Sequence, residues 1–326
     1  MRTKNELYHD AVRIIALRRQ TARARAEDAR AEAEAAIPAL RHAEEEVRVR
    51  GIRCALAGAS GRDRTAANAA LTEARQNLAS LLAASGRPAD ALEPRFTCKA
   101  CQDTGIVNGR TCSCVHKVMQ QLRRREIEGL SSLSISSFDT MELRYYPNRL
   151  DSFTGSKENI RLHMKTLLED LKDYADNFDL NDCSNLLLLG NAGLGKTHAA
   201  LSIAGIVLDK GYDVIYVSCA DFFTKIESAR FDNTTDSDVL LQTATKSDLL
   251  ILDDLGTESV TPFFITAFYS LLNNRLGANL PTIITSNITN PDLFSKRYTE
   301  KISSRLTSFT PCIFIGEDIR AQKANE

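Results

Sequence analysis

Residues Gly190 to His198 read GNAGLGKTH, a run whose residue types and spacing suit phosphate binding. Gly190, Gly195, Lys196 and Thr197 fit G-x-x-x-x-G-K-T. The glycines, Gly193 among them, let backbone N–H groups turn toward phosphate oxygens. The Lys196 ammonium then reaches the β- and γ-phosphates, and the Thr197 hydroxyl ligates Mg2+. Asn191, Ala192 and Leu194 complete the loop, and His198 belongs to the helix start that follows it. The apolar run NLLLL precedes the loop, so a strand–loop–helix unit is expected. Farther on, DLLILDDLGTE ends an apolar run on two carboxylates, at the strand edge where Mg2+ is held beside a phosphate loop. Asp253 is the metal-side carboxylate. Asp254 orients or deprotonates an attacking water, with Glu258 as the alternative for that role. Aspartate is a methylene shorter than glutamate, so slow hydrolysis is expected. The next apolar run, PTIITSN, ends on Asn287, whose amide either touches γ-phosphate and water or caps the strand. KISSRLTS places Arg305 on a short helix, eighteen residues after Asn287. It is either a solvated helix residue or a guanidinium that stabilises transferring phosphate, from its own or a neighbouring subunit. Lys301 lies one turn earlier. The cofactors implied are ATP and Mg2+.

A second constellation is FTCKACQDTGIVNGRTCSC, residues 96–114. Cys98 and Cys101 form C-x2-C, and after ten residues Cys112 and Cys114 form C-x-C. Four thiolates suffice for a closed tetrahedral zinc site, with no position left for a reactive water. Asn108-Gly109 reads as the tight turn of a small hairpin between the two pairs. The C-x-C pair is tighter than usual, so His116 remains a substitute ligand. Zinc would supply roughly 10–16 kcal/mol to a module too small to fold alone. Cys54, Cys183, Cys219 and Cys312 read as ordinary helix or core cysteines.

The elements that must position these groups fall into three segments of the 326 residues: 1–97, 98–128 and 129–326. The first is rich in Ala, Arg and Glu. Apolar or small residues recur with four–three spacing at Tyr8, Val12, Ile15, Ala22, Ala26, Ala29, Ala33, Ala36, Leu40, Ala43 and Val47, interrupted by Arg19. That is a thin heptad seam, coiled-coil in character. Pro38 kinks or restarts the helix, AGASGRD at 57–63 is a turn, and a second helix follows with Ala67, Leu71, Ala74, Leu78 and Leu81 on one face. A helical hairpin is expected. An Ala-rich seam buries little area per turn, so such a hairpin gains by docking onto a partner. The second segment is the zinc module and linker. The third alternates apolar runs with helical patterns. Strands are expected at 185–189, 214–218, 249–253, 282–286 and 312–315, which predicts an α/β fold with a parallel sheet covered by helices.

The net charge of −1 does not announce a nucleic-acid partner. The chain has no run of eighteen apolar residues and no signal-peptide core, so a cytoplasmic protein without a membrane partner is expected. There, clustered cysteines hold metal more often than they form disulfides.

The order of phosphate loop, Asp-Asp, Asn287 and SSRL resembles AAA+ ATPases. With EPRFTCKACQDTGIVNGRTCSC, FDTMELRYYP, DLLILDDLGTE, TIITSN and GEDIR, the chain resembles bacterial replicative helicase loaders of the DnaC/DnaI type in their long, zinc-bearing form. That resemblance implies an ATP-dependent loader with slow ATPase activity. Its N-terminal part would contact the hexameric replicative DNA helicase, and its ATPase part would bind ATP and single-stranded DNA and self-assemble. It implies that Arg305 reaches a neighbour's nucleotide and that Arg320 touches nucleotide. It also implies no C-terminal lid after the ATPase sheet, since 21 residues follow Arg305. For DNA, DFFTKIESARF offers Phe222, Phe223, Lys225, Arg230 and Phe231 for stacking and pairing, or simply an amphipathic helix with Phe in the core. LRRRE at 122–126 is a second basic stretch. Two other readings are an IstB-like transposition helper, which shares the ATPase motifs and lacks the cysteine cluster, and a zinc-bearing adaptor whose ATPase has decayed.

Overall fold

The structure, a computed structural model, describes residues 1–59, 64–130, 135–150, 159–232 and 236–324. In chain order the elements are α1 (Lys4–Ala36), α2 (Leu40–Ala59), α3 (Thr65–Ala84), β1 (Ile106–Val107), β2 (Arg110–Thr111), α4 (Ser113–Leu130), α5 (Ile160–Asp176), β3 (Leu186–Leu189), α6 (Lys196–Asp209), β4 (Val214–Ser218), α7 (Cys219–Phe231), α8 (Asp236–Lys246), β5 (Leu249–Leu255), α9 (Pro262–Gly277), β6 (Thr282–Ser286), α10 (Pro291–Tyr298), α11 (Glu300–Leu306), β7 (Thr310–Ile313) and α12 (Ile319–Ala324). They form two compact units, Met1–Ala11 with His116–Glu326, and Val12–Val115.

The larger unit is built on a five-stranded sheet in the order β4-β5-β6-β3-β7. Every pairing in it is parallel. The chain leaves β3 for the far edge, returns strand by strand through β6, and then crosses to β7 on the other side. A crevice for a ligand forms at the carboxyl ends of the strands, where the order reverses. Strand alternation separates two cores. Val214, Leu249, Ile251 and Ile283 join α5 and α6 on one face, while Ile215, Leu250, Leu252 and Ile284 join α7 and α9 on the other. Helix starts are written in the sequence by side-chain caps: Asn159 accepts from Leu162 N–H, Ser218 from Asp221, Thr261 from Phe264 and Asn290 from Asp292. The strands differ little from the expected ones. β5 continues to Leu255, and β7 lies at Thr310–Ile313 rather than 312–315.

His116–Glu128 packs with this sheet unit, although composition groups it with the cysteine module. Gln120 Nε2 donates to Leu208 O at 2.7 Å. Arg123, 2% exposed, donates to Asp213 at 3.0 Å and to Glu126 at 2.7 Å. At the chain start, Arg2 joins the same cluster through Glu126 at 2.7 Å. Thr3 and Glu6 form a reciprocal capping box ahead of α1: Glu6 N–H donates to Thr3 Oγ1 at 3.2 Å, and Thr3 N–H to Glu6 Oε2 at 2.6 Å.

In the smaller unit the expected hairpin takes a different form. α1 ends at Ala36 and α2 starts at Leu40, so the helix restarts across Pro38. The helices that pack on each other are α2 and α3. Ala33, Leu40, Leu82 and Leu92 close a small core. Of the expected turn at 57–63, residues 60–63 lie outside the described residues. The seam along α1 also begins one position earlier. Leu7, Ala11 and Ile15 are buried, whereas Tyr8 and Val12 are 36% and 37% exposed, because i, i+4 spacing continues the buried face where four–three counting steps off it. Among the described residues, no helix is long and apolar enough to cross a membrane.

Candidate nucleotide site and cysteine cluster

The phosphate loop joins β3 to α6. A Cβ at Gly193 would collide with the Asp318 carboxylate, and its φ of 76° is the left-handed region, so glycine is required there. Four hydrogen bonds shape the loop. Tyr146 Oη donates to Leu194 O at 2.9 Å, Ile319 N–H donates to Gly193 O at 3.0 Å, and Lys196 Nζ donates to Gly190 O and Asn191 O at 2.7 and 2.8 Å. The lysine thus folds back over its own loop. Burial lowers its pKa, and the charges of Asp254 and Asp253 oppose that.

Beside the loop lies a cavity of about 350 Å3, within the usual size range for small-molecule sites. Ala192, Gly193, Leu194, Gly195, Thr197 and His198 line it from the loop and α6, together with Lys196. Asp254, Asn287 and Arg320 reach it from β5, the end of β6 and α12. Gly190 and Asn191 stand behind the wall and supply the carbonyls that Lys196 uses. Five lining residues outside the motif itself come from the FDTMELRYYP stretch: Thr140, Met141, Glu142, Tyr145 and Tyr146. Lys323 and Arg144 both lie over the Tyr145 ring, at 5.0 and 4.7 Å from its centroid. Burial pushes the Tyr146 phenol up to about 12.

Asp253 sits at the carboxyl end of β5, 5% exposed. Thr197 Oγ1 donates to it, at 3.0 Å from Oδ1 and 3.1 Å from Oδ2. A hydroxyl paired with a carboxylate beside a phosphate loop is a donor set that fits Mg2+. Asp254 takes a left-handed φ of 57° where the β5–β6 register slips, and lines the cavity. Burial raises its pKa, and the Asp253 charge adds to that. Glu258 is differently placed. Its carboxylate is buried and takes hydrogen bonds from Gly256 N–H at 2.9 Å and from Tyr298 Oη, with Arg297 at 3.5 Å. It does not line the cavity, so its oxygens are committed to structure.

Arg305 does not line the cavity either. Its Cζ lies 4.0 Å from the Tyr269 ring centroid. Nη2 donates to Tyr269 Oη at 2.6 Å and to Asn273 Oδ1 at 2.9 Å, and Nη1 to Lys301 O at 3.0 Å. Sequence reasoning missed Tyr269 and Asn273, since a helix-face Tyr-x3-Asn becomes informative only once α9 and α11 are packed.

The DNA candidates are largely spent on structure. Phe222 and Phe223 are buried in the core with Phe264 and Phe268, so they offer no face for stacking. Phe231 is 82% exposed, Lys225 is exposed, and Arg230 lies 5.4 Å from the Phe263 ring centroid. In 122–126, Leu122 and Arg123 are buried and Arg124 pairs with Asp209 at 2.9 Å.

In the smaller unit the four cysteines converge. The sulfurs of Cys98, Cys101, Cys112 and Cys114 all lie within 4.8 Å of one another, with 3.8 Å between Cys98 and Cys112 and 3.5 Å between Cys101 and Cys114. Ligands about 2.3 Å from a tetrahedral zinc are about 3.8 Å apart, so the set fits the ion. His116 is outside this group, so among the described residues the cluster is cysteine alone. The hairpin β1–β2 turns through Asn108 and Gly109, whose φ of 51° and 74° are those of a type I′ turn. Asp103 ties the entry, accepting from Thr97 and Cys98 N–H at 2.7 and 2.9 Å. Burial raises the Cys101 thiol, but the Gly105 N–H and neighbouring thiols bring it down to about 7. The Cys114 thiol is raised, by burial first and then by Cys101.

Residues 167–301 match the family model of the IstB-like ATP binding protein. The chain is also similar to replicative helicase loaders of the DnaC type. It is 25% identical over 154 residues to the replicative helicase loader DnaC of Escherichia coli strain K12, covering 46% of this chain and 62% of that one. It is 32% identical over 109 residues to the insertion sequence IS232 putative ATP-binding protein of Bacillus thuringiensis subsp. berliner, covering 33% and 42%. A crystal structure of the DnaC helicase loader superposes with TM-score 0.44 at 21% identity, over 53% of this chain and 99% of that one. The chain spans less than two thirds of the length of these curated relatives.

Proposed function

We propose that the protein is an ATP-dependent loader that binds a replicative DNA helicase and helps place it on single-stranded DNA. The observation that carries this reading is the presence in one chain of a four-sulfur cluster and a complete nucleotide constellation. The similarity to DnaC of Escherichia coli supports it. In this reading ATP occupies the cavity, with Lys196 and the loop N–H groups on its phosphates and Thr197 and Asp253 on Mg2+. Asp254 and Asn287 face the attacking water, and Arg320 reaches the nucleotide from α12. Bound Mg2+ neutralises phosphate charge, and the chain's own groups hold the geometry. Arg305, turned away from its own cavity, serves the nucleotide of a neighbouring copy, and hydrolysis is slow. Zinc staples the cysteine module, and the helices of residues 1–97 dock the helicase. Co-purification of the full chain with the host's replicative helicase tests this; failure to form a complex at micromolar concentrations with ATP present rejects it.

A second reading is an IstB-like transposition helper, favoured by the family match over residues 167–301 and by the IS232 relative. The cysteine cluster speaks against it, because that type of ATPase lacks one. A zinc-bearing adaptor with a decayed ATPase is the non-enzyme alternative, and a turnover assay separates it.

A further inference from the structure

The Asp253 carboxylate is held by more donors than the phosphate loop requires. Oδ1 accepts from Thr285 Oγ1 at 2.7 Å and from Thr197 Oγ1 at 3.0 Å. Oδ2 accepts from Tyr216 Oη at 2.7 Å and from Thr197 Oγ1 at 3.1 Å. Tyr216 is on β4 and Thr285 on β6, the two neighbours of β5, so the flanking strands each send one hydroxyl to the same carboxylate. Both residues are buried in a sheet whose interior is otherwise mostly Leu, Ile and Val. Phe and Val would fill the same space, and a buried hydroxyl is tolerated only when partnered. The single Thr197 proton is shared between two oxygens over the longer distances, and Thr197 is the group that must leave the carboxylate to ligate a metal. Tyr216 and Thr285 hold shorter bonds and need not leave. The Thr285 hydroxyl also acts as an acceptor, taking the Asp254 N–H on Oγ1 at 2.9 Å. That bond sits at the register slip where Asp254 adopts its left-handed φ and reaches the cavity.

We propose that Tyr216 and Thr285 are positioning residues that keep the Asp253 carboxylate facing the metal position when Thr197 turns away, and that Thr285 also sets the backbone that aims Asp254 into the cavity. This rests on the ATP–Mg2+ reading of the site. Outer hydrogen-bond partners of metal-binding carboxylates are worth about 10–100-fold in metal affinity.

The test is binding of a fluorescent ATP analogue to the full chain, titrated with Mg2+ and repeated in EDTA. In Tyr216→Phe and Thr285→Val the half-saturating Mg2+ concentration rises about tenfold or more, while Thr285→Ser stays within about twofold of the parent. Affinity in EDTA is unchanged in all three, since the phosphate loop is untouched. Parent-like Mg2+ dependence in Tyr216→Phe and Thr285→Val, with Asp253→Ala losing it, overturns the proposal. So does a Thr285→Ser variant as impaired as Thr285→Val, which would mean packing rather than the hydroxyl. Loss of binding in EDTA as well also overturns it, because the hydroxyls then serve the fold. A parent protein with no Mg2+ dependence at all rejects the metal reading itself and this proposal with it.

Discussion

The Lys196 ammonium donates to the Gly190 and Asn191 carbonyls, contacts that the phosphates of the proposed nucleotide would replace. A charged hydrogen bond contributes about 1.5–3 kcal/mol, so Lys196→Ala should weaken ATP binding about 10- to 100-fold; calorimetry or fluorescence titration measures it, and unchanged affinity contradicts the site. Arg305 is argued the other way. It lies off its own cavity, clasped by Tyr269 and Asn273, so Arg305→Ala should leave ATP affinity intact and remove assembly-dependent hydrolysis. Mixing Arg305→Ala with Lys196→Ala subunits should restore part of the turnover; weaker ATP binding by the Arg305→Ala monomer would place the residue in cis. His198 gives a pH prediction. Its Nε2 lies 2.9 Å from Thr140 Oγ1 and 3.1 Å from Ser137 O, and burial lowers its pKa from 6.5. Above pH 6.5 both folded and unfolded chains hold neutral imidazole. Below it the unfolded chain takes the proton first, so stability falls with pH until the folded value is passed. Thermal melts of His198→Gln should lack that component as pH falls below 6.5. Residue identities in the loop and at Asp253 were legible because backbone geometry and metal chemistry restrict what can stand there. Tyr216 and Thr285 were not: in the sequence they are ordinary strand residues, and only pairing of β4, β5 and β6 reveals what their hydroxyls meet.

Among the elements, the four-cysteine hairpin is the clearest product of local spacing. Two cysteine pairs and an Asn-Gly turn specify β1, β2 and the convergence of four sulfurs with little help from the rest of the chain. One tightly bound zinc per chain is therefore expected by metal analysis of protein purified without added zinc. Cys112→Ser should lose it, and His116→Ala should keep it. Absence of metal with four freely titrating thiols in the folded protein rejects the site. The strands were legible to within two residues because a parallel sheet buried on both faces demands unbroken apolar runs. The helices before residue 97 were less so. An Ala-rich pattern is compatible with several registers, and a shift by one position, as from Tyr8 to Leu7, changes which side chains are buried. The division of the first helix into α1 and α2 was left open because Pro38 can bend a helix or restart one, and nothing local decides between these.

At the scale of the molecule, composition divides the chain at residues 97 and 128, whereas the compact units divide after Ala11 and Val115. The physical cause lies in long-range pairs, Arg2 with Glu126 and Arg123 with Asp213, which tie Met1–Ala11 and α4 residues to the sheet unit. The proposed function is the loading of a replicative helicase. The most direct measurement is purification of the full-length protein with the host's replicative helicase, in ATP and in the Lys196→Ala background, with stoichiometry read by light scattering. A stable complex that survives Lys196→Ala, and whose transfer of helicase to single-stranded DNA does not, is the predicted result. No helicase complex under either condition, with stable association instead with a transposase, would contradict the account and favour the IstB-like reading.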